Sequence, residues 1–169
     1  MPTILSTGLV LADVWSTTDV TATTLPINLT ETAFRTMLRV EVPCQPGDLL
    51  DIVGDARVTL DTPEPRYTTG VSWSLWGYDE DNGVGGSAGP WWGLGTSLGD
   101  NVTPDRHHMP LSISRCYKVP ADWTPGHRLV VVLRAVAGST AARSGDAVTV
   151  DPLGELTVRR WTAPAAPAV

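Results

Sequence analysis

The stretch His127–Ala137 reads HRLVVVLRAVA. As an extended chain it places Leu129, Val131, Leu133, Ala135 and Ala137 on one face. Val130, Val132 and Val136 lie on the other, interrupted by Arg128 and Arg134. A strand with one wet face alternates apolar and polar residues. This one is apolar on both faces. That predicts a central strand covered twice, once by the core and once by a second layer or a neighbouring subunit. Val130, Val132 and Arg134 are therefore candidate oligomer-interface residues.

The segments around it are also strand-like. Ile4–Val14, Val20–Leu29, Phe34–Val42, Tyr67–Tyr78, Met109–Tyr117, Ala147–Val150 and Glu155–Trp161 are extended, Thr- or Val-rich or alternating. Thr30–Arg39 has a weak helical stripe, but it runs directly into Val40–Val42 and Pro43, so Phe34–Val42 is read as a strand. Leu49–Val53 and Ala56–Leu60 flank Gly54-Asp55, which is either a tight hairpin or a bulge within one long strand. Turns are marked at Gln45–Asp48, Pro125-Gly126, Ser144–Asp146 and Asp151–Gly154. About eight to ten short strands with frequent turns predict an all-β fold, an antiparallel β-sandwich or jelly roll. Residues 1–161 are expected to make one domain, followed by a Pro/Ala-rich extended tail over 162–169.

Composition narrows the function. The 169 residues carry a net charge of −6, with Lys118 the sole lysine. Phosphate binding needs a Lys/Arg surface, so nucleic acid is an unsuitable partner, and so is an anionic membrane. No apolar run approaches the roughly 18 residues that span a bilayer. The start, MPTILSTGLVLADVW, lacks a basic segment and carries Asp13, so it is not read as a signal peptide. Cys44 and Cys116 are expected as two buried, unpaired small residues, with a disulfide between them the alternative.

Asp79–Pro104, DEDNGVGGSAGPWWGLGTSLGDNVTP, is expected to form a long Gly/Trp-rich loop. Trp91 and Trp92 lie within it, and Trp73, Trp76 and Trp123 are placed around them. Aromatics on such a loop close one end of a sandwich, dock on a partner, or stack on a sugar ring. Trp91, Trp92, Trp76, Asp100 and Asn101 are the contact candidates, with His107 and His108 beside them. Asp79–Gly83 lacks the ligand spacing of a calcium loop and reads as a solvated acidic turn, with weak calcium binding the alternative. Adjacent His107 and His108 point to opposite faces of a strand, which disfavours a shared metal. No nucleophile elbow, phosphate loop or dinucleotide fingerprint is present. No catalytic residue, metal or cofactor is therefore assigned.

Four segments carry a resemblance: Asp105–Pro110 (DRHHMP), Tyr117–Pro125 (YKVPADWTP), Leu129–Thr140 (LVVVLRAVAGST) and Ser144–Arg159 (SGDAVTVDPLGELTVR). In these the chain resembles β-sandwich accessory proteins of actinobacterial tailed phages, such as head-decoration proteins, head-fibre knobs and minor tail proteins. The resemblance implies a non-enzymatic virion protein that binds the major capsid protein or another virion protein. It also implies an oligomer, a trimer being favoured, that is assembled in the host cytoplasm. The rival reading is a carbohydrate-binding module using Trp91 and Trp92 on surface glycans. A third is a jelly-roll enzyme with a metal on His107, His108 or His127.

Overall fold

The computed structural model describes residues 8–19, 23–24, 34–61, 69–82, 92–102, 108–138 and 147–163. These residues form ten strands: β1 (Val10–Asp19), β2 (Thr23–Thr24), β3 (Arg35–Pro43), β4 (Leu49–Asp61), β5 (Thr69–Asp79), β6 (Trp92–Val102), β7 (Met109–Lys118), β8 (Arg128–Gly138), β9 (Ala147–Val150) and β10 (Gly154–Thr162).

Two of the ten are continuations of others. Asp19 pairs with Gly154 and Thr23 with Val150, so β1 and β2 keep one register against β10 and β9. β9 and β10 in turn lie end to end along β4, broken by the Asp151–Gly154 turn. The sandwich is thus two sheets of four, β1–β10–β4–β7 and β3–β8–β5–β6. The ladders join first strand with last (β1 with β10), then β3 with β8, β4 with β7, and β5 with β6. This is a long antiparallel hairpin wrapped around one core, the strand order of a jelly roll.

The core lies between the sheets. Leu50, Ile52, Val58, Leu111, Leu156 and Val158 face Val42, Leu75, Leu129, Val131 and Leu133, all fully buried. Each such side chain contributes roughly 1.5–3 kcal/mol relative to exposure. β8 runs centrally between β3 and β5, as its sequence predicts.

At Gly54 the alternative of one long strand holds and the hairpin does not, and the strand passes Gly54 without a bulge against β7. β4 is one element of 13 residues. A Cβ on Gly54 would stand 3.3 Å from Leu133 Cδ2 and 3.4 Å from Ile113 Cγ2, so the glycine makes room for core side chains rather than for a turn. The segment read as strand over Ile4–Val14 pairs over Val10–Asp19 instead, and residues 1–7 lie outside the described set. Of Val20–Leu29, only Thr23–Thr24 is described. The tail beyond Ala163 also lies outside it.

The loop expected over Asp79–Pro104 holds a strand. Its second half is β6, an edge strand paired to β5. Glycine opposes bulk there: Gly93 pairs with Trp76, and Gly77 on β5 leaves space for Leu94. A Cβ on Gly77 would come within 3.2 Å of Leu94 Cδ2, Leu129 Cδ1 and the Val130 carbonyl. Cys44 is buried as expected, but Cys116 is exposed because it occupies an outward position on β7; both are free thiols.

Candidate interaction surfaces

The second cover of β8 comes from within the chain. Val130 and Val132 are 0% and 1% exposed. Val130 stands beside Tyr78 and Val132 beside Trp76 on β5, with Glu41 and Arg39 beside them on β3. Tyr78 packs with both valines as a small cluster, and half-buried Trp76 rests against it. Arg39 Nε donates to the Tyr78 hydroxyl at 3.4 Å and its Nη2 approaches Glu80 at 3.4 Å. Arg128 bridges Glu41 and Asp81, both at 2.6 Å. Arg134 lies over the Trp76 ring at 5.5 Å and the Phe34 ring at 5.8 Å, and donates to the Phe34 carbonyl at 2.9 Å. Burial lowers the Arg134 pKa. Cation–π contact offsets part of that desolvation. The fold therefore gathers Trp76, Val130, Val132 and Arg134. A partner meeting this face would touch the aromatic and charged layer, not the valines.

The tryptophans do not form one cluster. Trp73 and Trp76 lie three apart on β5 and so face opposite ways. Trp73 is in the core and donates to the Ser112 carbonyl at 3.3 Å. Trp123 closes the sandwich end ahead of β8, its Nε1 donating to the His127 carbonyl at 3.3 Å. There the backbones of Cys44 and His127 are also bonded, and burial pushes the Cys44 thiol up to about 12. Trp92, Asp100 and Asn101, expected in a loop, lie on edge strand β6 opposite Gly77, Val71 and Gly70. Trp91 and His107 lie outside the described residues.

The acidic turn is engaged internally. Asp79 Oδ1 accepts from the backbone N–H groups of Asp81 and Asn82 at 3.0 and 3.1 Å, and Asp79 Oδ2 lies 3.0 Å from His127 Nδ1. Asp81 accepts from the Arg128 side chain and, at 2.7 Å, from its backbone N–H. These bonds hold the Asp81 carboxyl down at about 2. The carboxylates that a calcium ion would need are committed to this turn.

His108 has φ 60 and is exposed. Its Nδ1 lies 2.8 Å from Asp151 Oδ2, and Thr59 Oγ1 donates to the same carboxylate at 3.0 Å. The carboxylate sits between hydroxyl and imidazole, so the imidazole is not placed to take the Thr59 proton. Among the described residues no three His, Cys, Asp or Glu side chains converge as metal ligands.

A surface the sequence reading missed lies on the outer side of the β1–β10–β4–β7 sheet. Leu11 and Val14, opposite Trp161 and Arg159, are 42% and 54% exposed there, while Val10, 53% exposed, lies opposite Thr162 on the other face of the strand. Beside the outer pair, Leu9, Leu49, Asp51, Cys116 and Trp161 line a shallow hollow of about 410 Å³. Leu153 is 77% exposed at φ 77, in the turn between β9 and β10. A signal was present: Val10, Leu11 and Val14 do not alternate, so they cannot all face the core.

No family model and no curated protein matches the sequence. Among solved structures, the chain is similar to the infectious bursal disease virus VP2 subviral particle, with TM-score 0.50 and 12% identity over 87% of this chain. The chain spans about a third of that protein's length (32%). It is also similar, at TM-score 0.34 and 11% identity, to a CBM4 structure, covering 72% of this chain and 59% of that one. At these identities the likeness to the subviral particle shows a shared sandwich fold.

Proposed function

We propose that the chain is a structural protein of a virus particle, a capsid decoration or accessory protein that binds the particle surface as an oligomer. The observation that carries this reading is the jelly-roll strand order, eight strands wrapped as one hairpin. The likeness to a viral subviral particle supports it, as does the phage resemblance of the sequence. Among the described residues the two histidines are each bonded to an aspartate, His108 to Asp151 and His127 to Asp79, and Asp81 is bonded to Arg128, which suits scaffolding better than turnover. The partner is a major capsid protein or another virion protein, and assembly takes place in the host cytoplasm. The phage resemblance favours a trimer, and Val130 and Val132 are candidate residues for its interface. Their cover lies within the chain, so the symmetry has to be argued from another surface.

A second reading is a carbohydrate-binding module. It is favoured by one observation: Trp92, Asp100 and Asn101 share an edge strand, directly after Trp91 in the chain. A Trp91→Ala/Trp92→Ala variant separates the two. In the virion reading the wild type co-sediments with particles of the virus that encodes it, and no glycan on an array retains it. Retention on glycans that the variant loses, with particle binding undetected for both proteins, supports the module and overturns the virion role.

A further inference from the structure

The acidic turn after β5 has one polar side chain that its bonding leaves out. Asn82 is exposed. Its backbone N–H donates to Asp79 Oδ1 at 3.1 Å, and among the described residues its side-chain amide makes no hydrogen bond. The next residue in the sequence is Gly83, so no Cβ crowds the main-chain nitrogen that follows Asn82. The chain has two other asparagines. Asn28 precedes Leu29 and Asn101 precedes Val102, whose side chains shield the corresponding nitrogen. Asn101 also sits in the β5–β6 ladder opposite Gly70, where its main chain is held extended.

We propose that Asn82 is a site of spontaneous covalent modification, deamidation through a succinimide, and that the turn is anchored so that the fold survives it. The main-chain nitrogen of Gly83 loses its proton to water or buffer base and bonds to Asn82 Cγ. The Cγ–Nδ2 bond breaks, and Nδ2 leaves with a proton as ammonia. Water then opens the ring at either carbonyl. One opening gives aspartate; the other gives isoaspartate, in which the main chain runs through the former side chain. The only co-reactant is water. The product adds a fourth carboxyl beside Asp79, Glu80 and Asp81, making the chain one charge more negative than its −6. Isoaspartate also places one extra main-chain carbon ahead of Gly83, on the chain that leads to Trp91 and Trp92. The bonds that anchor the turn all lie on the N-terminal side of that carbon. Asp79 accepts from the N–H groups of Asp81 and Asn82 and lies 3.0 Å from His127, and Asp81 accepts from Arg128. The change in length therefore falls on the segment ahead of the tryptophan pair, and the sandwich is left as it was.

This inference is independent of the particle role, since the reaction needs no partner. The test incubates the native full-length chain in warm, mildly alkaline buffer beside a synthetic peptide spanning Asp79–Gly86. Peptide mapping by mass spectrometry reads the amide-to-acid conversion at each asparagine. An isoaspartate methyltransferase with its methyl donor reads the isoaspartate form. No bond has to open before Asn82 reacts, so its rate in the native chain is expected to lie within about tenfold of the peptide's. Asn28 and Asn101 are expected to convert more slowly than Asn82, and isoaspartate to be the larger product. Gly83→Val is expected to slow conversion at Asn82 by about tenfold or more, because a branched side chain then stands beside the attacking nitrogen. The converted chain is expected to unfold at the same temperature as the intact chain, and so is Asn82→Asp, which supplies the charge without the extra carbon. A native rate below that tenfold range, faster conversion at Asn28 or Asn101, or full speed in Gly83→Val would overturn the proposal. So would a converted chain that unfolds at a lower temperature. Should Gly83→Val fail to fold, the comparison of the wild-type chain with the peptide still decides.

Discussion

Val132 tests whether β8 is covered on both faces by its own chain. Val132→Ala removes two methyl groups from a side chain that is 1% exposed. Their transfer is worth about 1.6 kcal/mol at roughly 0.8 kcal/mol per buried carbon. Trp76 and Tyr78 are fixed by their own strand and partners, so the space is only partly refilled, and the cavity raises the loss to about 2–2.5 kcal/mol. Val131→Ala, on the opposite face and 0% exposed, is expected to cost the same within about 0.5 kcal/mol. Urea unfolding at concentrations where the chain is single measures both, and m is expected to stay unchanged. A cost below about 0.5 kcal/mol for Val132→Ala, beside about 2 for Val131→Ala, would refute the reasoning. It would mean that Val132 faces solvent or another subunit.

Gly77→Ala is expected to destabilise by about 1–3 kcal/mol, because its Cβ would press on Leu94, Leu129 and a backbone carbonyl that cannot move aside; thermal unfolding reads this. Leu153→Asn is expected to stabilise by about 0.5–1 kcal/mol, since an exposed leucine at φ 77 is strained and asparagine tolerates that region; the urea midpoint is expected to rise. Thiol titration of the native protein is expected to report one reactive cysteine, Cys116, and two after unfolding, because Cys44 is buried with its thiol pushed up to about 12. Asp81 is held at about 2, below the roughly 3.9 of an unfolded aspartate, so its contribution is complete above that value and is lost as pH falls towards 2. In Arg128→Met the loss of stability between about pH 4 and pH 2 is expected to shrink, because the larger source of the shift is removed.

The central strand was readable because burial on two faces leaves a two-sided apolar run. What covered the second face was not readable. Tyr78 and Trp76 reach Val130 and Val132 only after β5 pairs beside β8, a contact set by long-range register. β6 escaped notice because its alternation is cut by Gly93, Gly95 and Gly99 and by a register shift at Leu75/Trp76. Its Leu94 is legible only together with the space at Gly77. β1 was placed too early because its second half, Ser16–Asp19, is held by a ladder to β10 rather than by apolar burial. Gly54 resembled a turn in sequence, and Leu133 packing over it decides otherwise. Arg134 looked like a flaw in an apolar face, whereas the fold lays it across Trp76 and Phe34. Of the contact candidates, Trp76 converges on one face with the interface candidates Val130, Val132 and Arg134, while His108 engages Asp151 at another site.

The particle role is tested most directly by quantitative mass spectrometry of gradient-purified virus particles produced by the genome that encodes this chain. The account predicts that the chain co-purifies in a fixed ratio to the major capsid protein across all particle fractions, and that the ratio survives washing at moderate salt. Its absence from those fractions, with the full amount recovered in the particle-free supernatant, would contradict the account.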